Sequence, residues 1–269
     1  MTFARTVWLF GLVILSLLAI GISFTPPGTA LAADRVERII QVGDLERRYI
    51  AHVPKDAASR RELPILFAFH PALATAEGFE RISGLHEQAL AEEFLIIYPQ
   101  GIGRTWNIGQ CCGQAKRQAV DELAFIDAIF ADAGRFGAIS TDRNVATGFS
   151  NGAGMTHYLA CNRPERFIAI APTGGKRDMT QGCGLSSHIT NSPVSVFLAH
   201  GLADTFSPYH GGQSVVPTVQ QTAGVPALTA YWSEANQCPA QQISLRLNGI
   251  KCDEARACAG ERVVITCPI

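Results

Sequence analysis

A serine between two glycines carries the first chemical signal. The stretch "VATGFSNGAGM", residues 145–155, puts Ser150 between Gly148 and Gly152 directly behind a short apolar run. A hydroxyl on a sharp strand-to-helix turn is exposed for attack on a carbonyl carbon, and flanking glycines relieve the crowding of such a turn. The backbone N–H of Asn151, opening the helix expected for "NGAGMTHYLA", is then placed to stabilise a developing oxyanion. A Gly-x-Ser-x-Gly match alone is weak, since 25 glycines in 269 residues produce one by chance in roughly a tenth of such chains. Its setting between strand and helix strengthens it; the alternative is a serine that only caps a helix. Downstream, "LAHGLADTFSPYHGG" puts Asp204 on a loop after a strand, where the orienting acid of a Ser, Asp, His chain order belongs. The alternative there is an aspartate that caps a turn.

The second oxyanion donor is expected from the loop after the third strand, which reads His70-Pro71-Ala72. Proline has no N–H to give, so Ala72 is the candidate, and His70 reads as a structural histidine closing the strand. A proton acceptor is harder to find. His52 falls on an early strand, His86 and His157 in helices, His188 in a loop, and His70 and His200 at strand ends. His210, six residues beyond Asp204, is the substitute base to weigh, although a base must reach both the serine and its acid. Trp106 and Asn107, in a glycine-rich loop, would line an acyl or aryl pocket; equally, the tryptophan covers the core. Tyr209 faces the cleft or merely packs.

These residues need a scaffold. "VERIIQVGDLERRYIAHVP" reads as two strands around a Gly43-Asp44 turn, and "LPILFAFH", "FLIIYP", "NVATGF", "FIAIAP" and "VSVFLAHG" as buried strands. Helical spacing marks Gly84 to Glu93, the segment "QAVDELAFIDAIFADAGRF" with Val120, Leu123, Ile126 and Phe130 on one stripe, the stretch after Ser150, and "VPALTAYWSEANQC". A terminal strand, "RVVIT", follows. Strands alternating with helices predict an α/β fold: a mostly parallel sheet with helices on both faces. No repeat or linker divides the chain, so one domain over residues 33–269 is expected.

A formal net charge of -1 with 47% hydrophobic residues argues against a polyanionic partner such as nucleic acid. Residues 1–32 carry Arg5, an apolar run from Val7 to Phe24, Pro26-Pro27 and then Ala30-Leu31-Ala32, which predicts a secretory leader cleaved near Ala33, with no membrane association afterwards. The alternative is an uncleaved anchor. Eight cysteines fit export and disulfides, with Cys238 expected to pair with Cys252 or Cys258, and Cys111 and Cys112 with separate distant partners. No Cys-x-x-Cys pair suggests zinc, so no metal or other cofactor is expected.

Taken in order, "RRYIAHVP", "LPILFAFHP", "IIYPQGIGRTWN", "CCG", "VDELAFIDAIFADAGRF", "RNVATGFSNGAGM", "LAC", "HGLADTFSPYHGG" and "YWSEANQC" resemble the secreted polyhydroxybutyrate depolymerase and feruloyl esterase group of α/β-hydrolases. The resemblance runs from about Arg48 to Thr266. It implies an α/β-hydrolase sandwich and a serine esterase working through an acyl-enzyme, with Ser150 as nucleophile and Asp204 as triad acid. The implied substrates are hydroxyalkanoate polyesters, feruloyl or acetyl esters of plant walls, or similar short acyl esters, polymeric ones included. In that group the triad histidine follows the last strand in a Gly-Gly-His-x-Trp-Pro-Gly-like segment, whereas this sequence reaches "GERVVITCPI". The expectation is therefore an esterase whose triad histidine is missing from this chain, through truncation or frameshift of the gene, with an apolar patch left beside the last strand. The alternative is a catalytically inactive secreted relative that binds esters or polysaccharide.

Overall fold

The computed structural model describes residues 33–109, 111–176, 192–215 and 222–269. The expected leader, 1–32, and His188 lie outside the described residues. Two strands, β1 (Ala33–Val42) and β2 (Leu45–Pro54), form a hairpin around Gly43-Asp44. There follow β3 (Ile65–Phe69), β4 (Leu95–Pro99), β5 (Asn144–Phe149), β6 (Phe167–Thr173) and β7 (Ser195–His200). All but β6 have their apolar runs buried almost throughout, the mark of central strands covered on both sides. A short pair, β8 (Gly211–Gly212) and β9 (Thr222–Ala223), stands apart from the main sheet. A second hairpin, β10 (Gln242–Leu247) and β11 (Ile250–Ala255), precedes β12 (Val264–Pro268).

The main sheet has the order β1-β2-β4-β3-β5-β6-β7-β12-β11-β10. Its centre, from β4 to β12, is parallel, and antiparallel strands close both sides. Parallel neighbours require crossovers, and the described connections carry the helices α1 (Ala76–Ser83), α2 (Leu85–Ala91), α3 (Gly113–Arg117), α4 (Glu122–Ala133), α5 (Asn151–Asn162) and α6 (Val225–Ala235). On one face Phe125 and Ile126 of α4, Met155 and Leu159 of α5, and Leu228 and Trp232 of α6 join Phe67, Ala146, Ile170 and Val196 of the sheet. On the other, Phe79 of α1 and Leu85 and Ala89 of α2 cover Ile50, Leu66, Ile96 and Val145. Because β3 to β7 run parallel, their carboxyl ends share one edge, and His70, Ala72, Ser150, Asn151, His200 and Asp204 lie at or just beyond it.

Some expectations change. Cys111 and Cys112 are bonded to each other across a cis peptide rather than to distant partners. The reason lies in the surrounding loop, which folds back on itself as Ile108 N–H donates to Cys111 O at 2.8 Å and Cys112 N–H to Trp106 O at 3.0 Å, while the cysteines of the last third satisfy one another. Cys238 pairs with Cys258, one of its two expected partners, and Cys252 with Cys267. The apolar patch expected beside the last strand is absent from the described residues: β12 lies between β7 and β11, and Val264, Ile265 and Cys267 are buried. No helix among the described residues is long and apolar enough to cross a membrane, and no cluster of potential metal ligands occurs among them.

Candidate active site

Ser150 sits where β5 ends and α5 begins, with φ 54° and ψ -117°, a backbone conformation that costs a non-glycine residue of order 1–3 kcal/mol. Its neighbours explain how the chain holds it. A side chain at Gly148 would meet the Gly152 carbonyl at 2.5 Å, and one at Gly152 would collide with the carbonyl oxygen of Phe69, so glycine at both positions lets the first turn of α5 fold onto the ends of β5 and β3. The Ser150 N–H donates to Thr173 O at 3.0 Å and its carbonyl accepts from Gly154 N–H at 3.1 Å, fixing the turn from two sides. As the first residue of α5, Asn151 has an N–H with no acceptor inside the helix. Its side chain is occupied elsewhere: Oδ1 accepts from Trp106 N–H at 2.8 Å and Nδ2 donates to Trp106 O at 3.2 Å.

The turn after β3 lies against this elbow, as the contact between Phe69 O and Gly152 requires. Leu73 N–H is spent on Arg104 O at 2.8 Å, and Pro71 has no N–H. Among the described residues the Ala72 N–H has no acceptor, which leaves it as the donor this turn offers. His70 itself is buried and fully used: Nε2 accepts from Gly101 N–H at 3.0 Å, so the other ring nitrogen carries the proton and donates to Pro71 O at 2.8 Å. Burial pushes its pKa down to about 4, so it is a neutral strut. Trp106 is fully buried, its indole N–H donating to His70 O at 2.9 Å. It offers no ring surface to solvent, so it supports the turn from beneath and is no wall of an open pocket. Asn107 is likewise committed to its loop, donating to Val120 O at 3.0 Å while accepting from Gly109 N–H at 3.2 Å.

Asp204 stands four residues past β7, two strands from Ser150 on the same edge. Its Oδ1 accepts from the N–H groups of Phe206 at 2.9 Å and Ser207 at 2.8 Å, a turn that fixes the carboxylate. Behind it His200 is buried, with Nε2 donating to Ser207 O at 2.7 Å and lying 3.3 Å from Asp204 Oδ2; desolvation lowers its pKa, making it a second neutral strut. His210 is exposed, and neither a hydrogen bond nor an ion pair joins it to Ser150 or Asp204. Among the described residues no histidine therefore links the two. Tyr209 is half-buried, its ring against His200 and its carbonyl accepting from Val225 N–H at 2.7 Å.

The reading of the sequence missed Lys176. It follows Gly174-Gly175 at the carboxyl end of β6, between the strands that carry Ser150 and Asp204, and its ammonium donates to Pro208 O at 2.6 Å. A lysine directly behind a paired glycine at a strand end was the available signal.

No family model matches the chain. It is 25% identical over 231 residues to feruloyl esterase B of Piromyces equi, an alignment covering 83% of this chain and 41% of that protein. It is 26% identical over 172 residues to a probable feruloyl esterase C of Aspergillus niger, covering 62% of this chain and 58% of the other. The chain thus spans roughly half the length of these relatives. Among solved structures it is similar to an acetyl xylan esterase from Aspergillus awamori, with a TM-score of 0.57 at 18% identity over 86% of this chain and 92% of that one. A ferulic acid esterase from the anaerobic fungus Anaeromyces mucronatus gives a TM-score of 0.55 at 16% identity, over 80% and 83% of the two chains. With the sheet order and the two helical layers, these likenesses identify the fold as that of the α/β-hydrolases.

Proposed function

We propose that this protein hydrolyses carboxylic esters through an acyl-enzyme on Ser150. The observation that carries the reading is the Ser150 elbow, a serine in strained backbone at the amino end of α5, with the fixed Asp204 carboxylate on the same sheet edge. Ser150 Oγ attacks the ester carbonyl carbon, the N–H groups of Asn151 and Ala72 receive the oxyanion, and Asp204 orients the base that takes the serine proton and returns it to the leaving alcohol. Among the described residues no histidine fills that role, since His70 and His200 are spent on backbone groups and His210 is not joined to the acid; the motif resemblance puts the base in a segment that follows the last strand.

For the acyl group, Leu73, Phe149, Leu202 and Phe206 are large exposed apolar side chains flanking Ala72, Ser150 and Asp204, and they favour an apolar or aromatic acid over a charged one. Feruloyl and acetyl esters of plant-wall polysaccharide fit the names of the relatives, and hydroxyalkanoate polyester fits the motif resemblance. A leader in residues 1–32 would export the protein, in keeping with paired cysteines. That no described histidine joins Asp204 to Ser150 favours one competing reading, an inactive protein that binds esters.

The two part on p-nitrophenyl butyrate and methyl ferulate. In the chain extended after Ile269 by a Gly-Gly-His-type segment, hydrolysis that Ser150→Ala lowers by at least ~10³-fold, and Asp204→Ala by a similar factor, is expected of the catalyst. Ester binding that survives both substitutions, with turnover equal to theirs, belongs to the binder.

A further inference from the structure

We infer that Lys176 is a positioning residue that locks the Asp204 turn to the Ser150 elbow. This rests on the reading of Asp204 as the triad acid.

The segment Gly174-Gly175-Lys176 is threaded between the two. On one side a side chain at Gly175 would collide with the Ser150 carbonyl, so the backbone is pressed against the elbow. On the other, Gly174 N–H donates to Ala199 O at 2.9 Å, tying the segment to β7 just ahead of the acid's loop. The Lys176 side chain then crosses to that loop, and its ammonium bonds Pro208 O at 2.6 Å. Pro208 ends the turn that Asp204 begins by accepting from Phe206 and Ser207. One side chain thus closes the far end of the turn from a base fixed on the serine's side.

The location of the charge is informative. Lys176 is only 8% exposed, and lysine is among the residues least often buried. Burial depresses its pKa while Asp204 opposes the shift. The titratable groups facing it are Asp204, which attracts it, and buried, neutral His200. A core built for stability alone would place an apolar chain of equal length here, because burying an ammonium beside one carbonyl costs more than filling the space with carbon. An ammonium that pays this penalty while spanning two loops of one site is better accounted for by the position it imposes on the acid.

Lys176→Met keeps the shape and removes the tie; Lys176→Arg keeps a charge and donors. Amide exchange at Phe206 and Ser207, read in the full chain, is expected to speed up about tenfold or more in the Met variant, with the melting temperature unchanged within ~3 °C or raised. In the chain extended after Ile269 by a Gly-Gly-His-type segment, Ser150-dependent turnover is expected to fall in kcat by ~10²-fold with KM nearly constant, and the Arg variant to recover at least tenfold of that loss. Unchanged exchange at Phe206 and Ser207, or a kcat loss matched by a large drop in melting temperature and not relieved by arginine, overturns the inference. Were the extended chain to show no Ser150-dependent turnover, the hydrolase reading would fail, while the exchange comparison would still decide whether Lys176 holds the turn.

Discussion

Histidine chemistry decides how much of this site works by charge and how much by shape. His70, His200 and His52 all have pKa values lowered by burial, His70 to about 4. A histidine whose folded pKa lies below its unfolded value near 6.5 leaves the folded state with fewer bound protons. The stability it supports is therefore complete above pH 6.5 and is lost as pH falls from there toward the folded pKa. For His70 the gap amounts to on the order of 3 kcal/mol by pH 4. The urea midpoint should hold between pH 7 and 8 and drop clearly between pH 6.5 and 4.5, with the His70 ring staying neutral by NMR down to about pH 5. A midpoint flat across that range, or a His70 ring titrating near 6.5, would contradict the strut assignment. The places of Ser150, between strand and helix, and Asp204, on a loop after a strand, were legible in the sequence because glycine spacing and chain order constrain them. Trp106 was not, because a loop tryptophan lines a pocket or fills a core depending on a fold-back that its own neighbours do not announce.

At the level of elements, the elbow is a steric device whose weak point is Gly152. Gly152→Ala drives a methyl group into Phe69 O, so α5 must lift from β3. The cost should reach or exceed the ~1–3 kcal/mol of ordinary overpacking, measurable by urea unfolding. A variant as stable as the parent would mean that the turn is looser than described. The buried strands were readable because covered strands are apolar runs bounded by turn residues. The hairpin of β10 and β11 escaped, although Leu247-Asn248-Gly249-Ile250 is a strong turn signal and both Asn248 (φ 48°) and Gly249 (φ 85°) have positive φ. Its strands lie at the sheet margin and alternate exposed and covered residues, so no apolar run marked them. The helix expected over "QAVDELAFIDAIFADAGRF" is shorter at its start, because Asp121 caps it by accepting from Ala124 N–H at 2.9 Å.

For the molecule as a whole, the parallel centre collects the carboxyl ends of six strands, and the site is assembled from the turns after β3, β5, β6 and β7. Strand β12 pairs with β7, so its end lies beside the acid: Ile269 N–H donates to His200 O at 3.0 Å and Leu202 N–H to Ile269 O at 2.7 Å. A loop joined there starts next to Asp204, which is where the motif resemblance puts the triad histidine. The most direct measurement is fluorophosphonate labelling, followed by intact mass and peptide mapping, of this chain and of the same chain carrying a Gly-Gly-His-type segment after Ile269. The account predicts one adduct, on Ser150, formed at least ~10³-fold faster with the added histidine and abolished by Ser150→Ala. An adduct on another residue, an added histidine without effect, or vigorous labelling of the unextended chain that disappears in His210→Ala would contradict it.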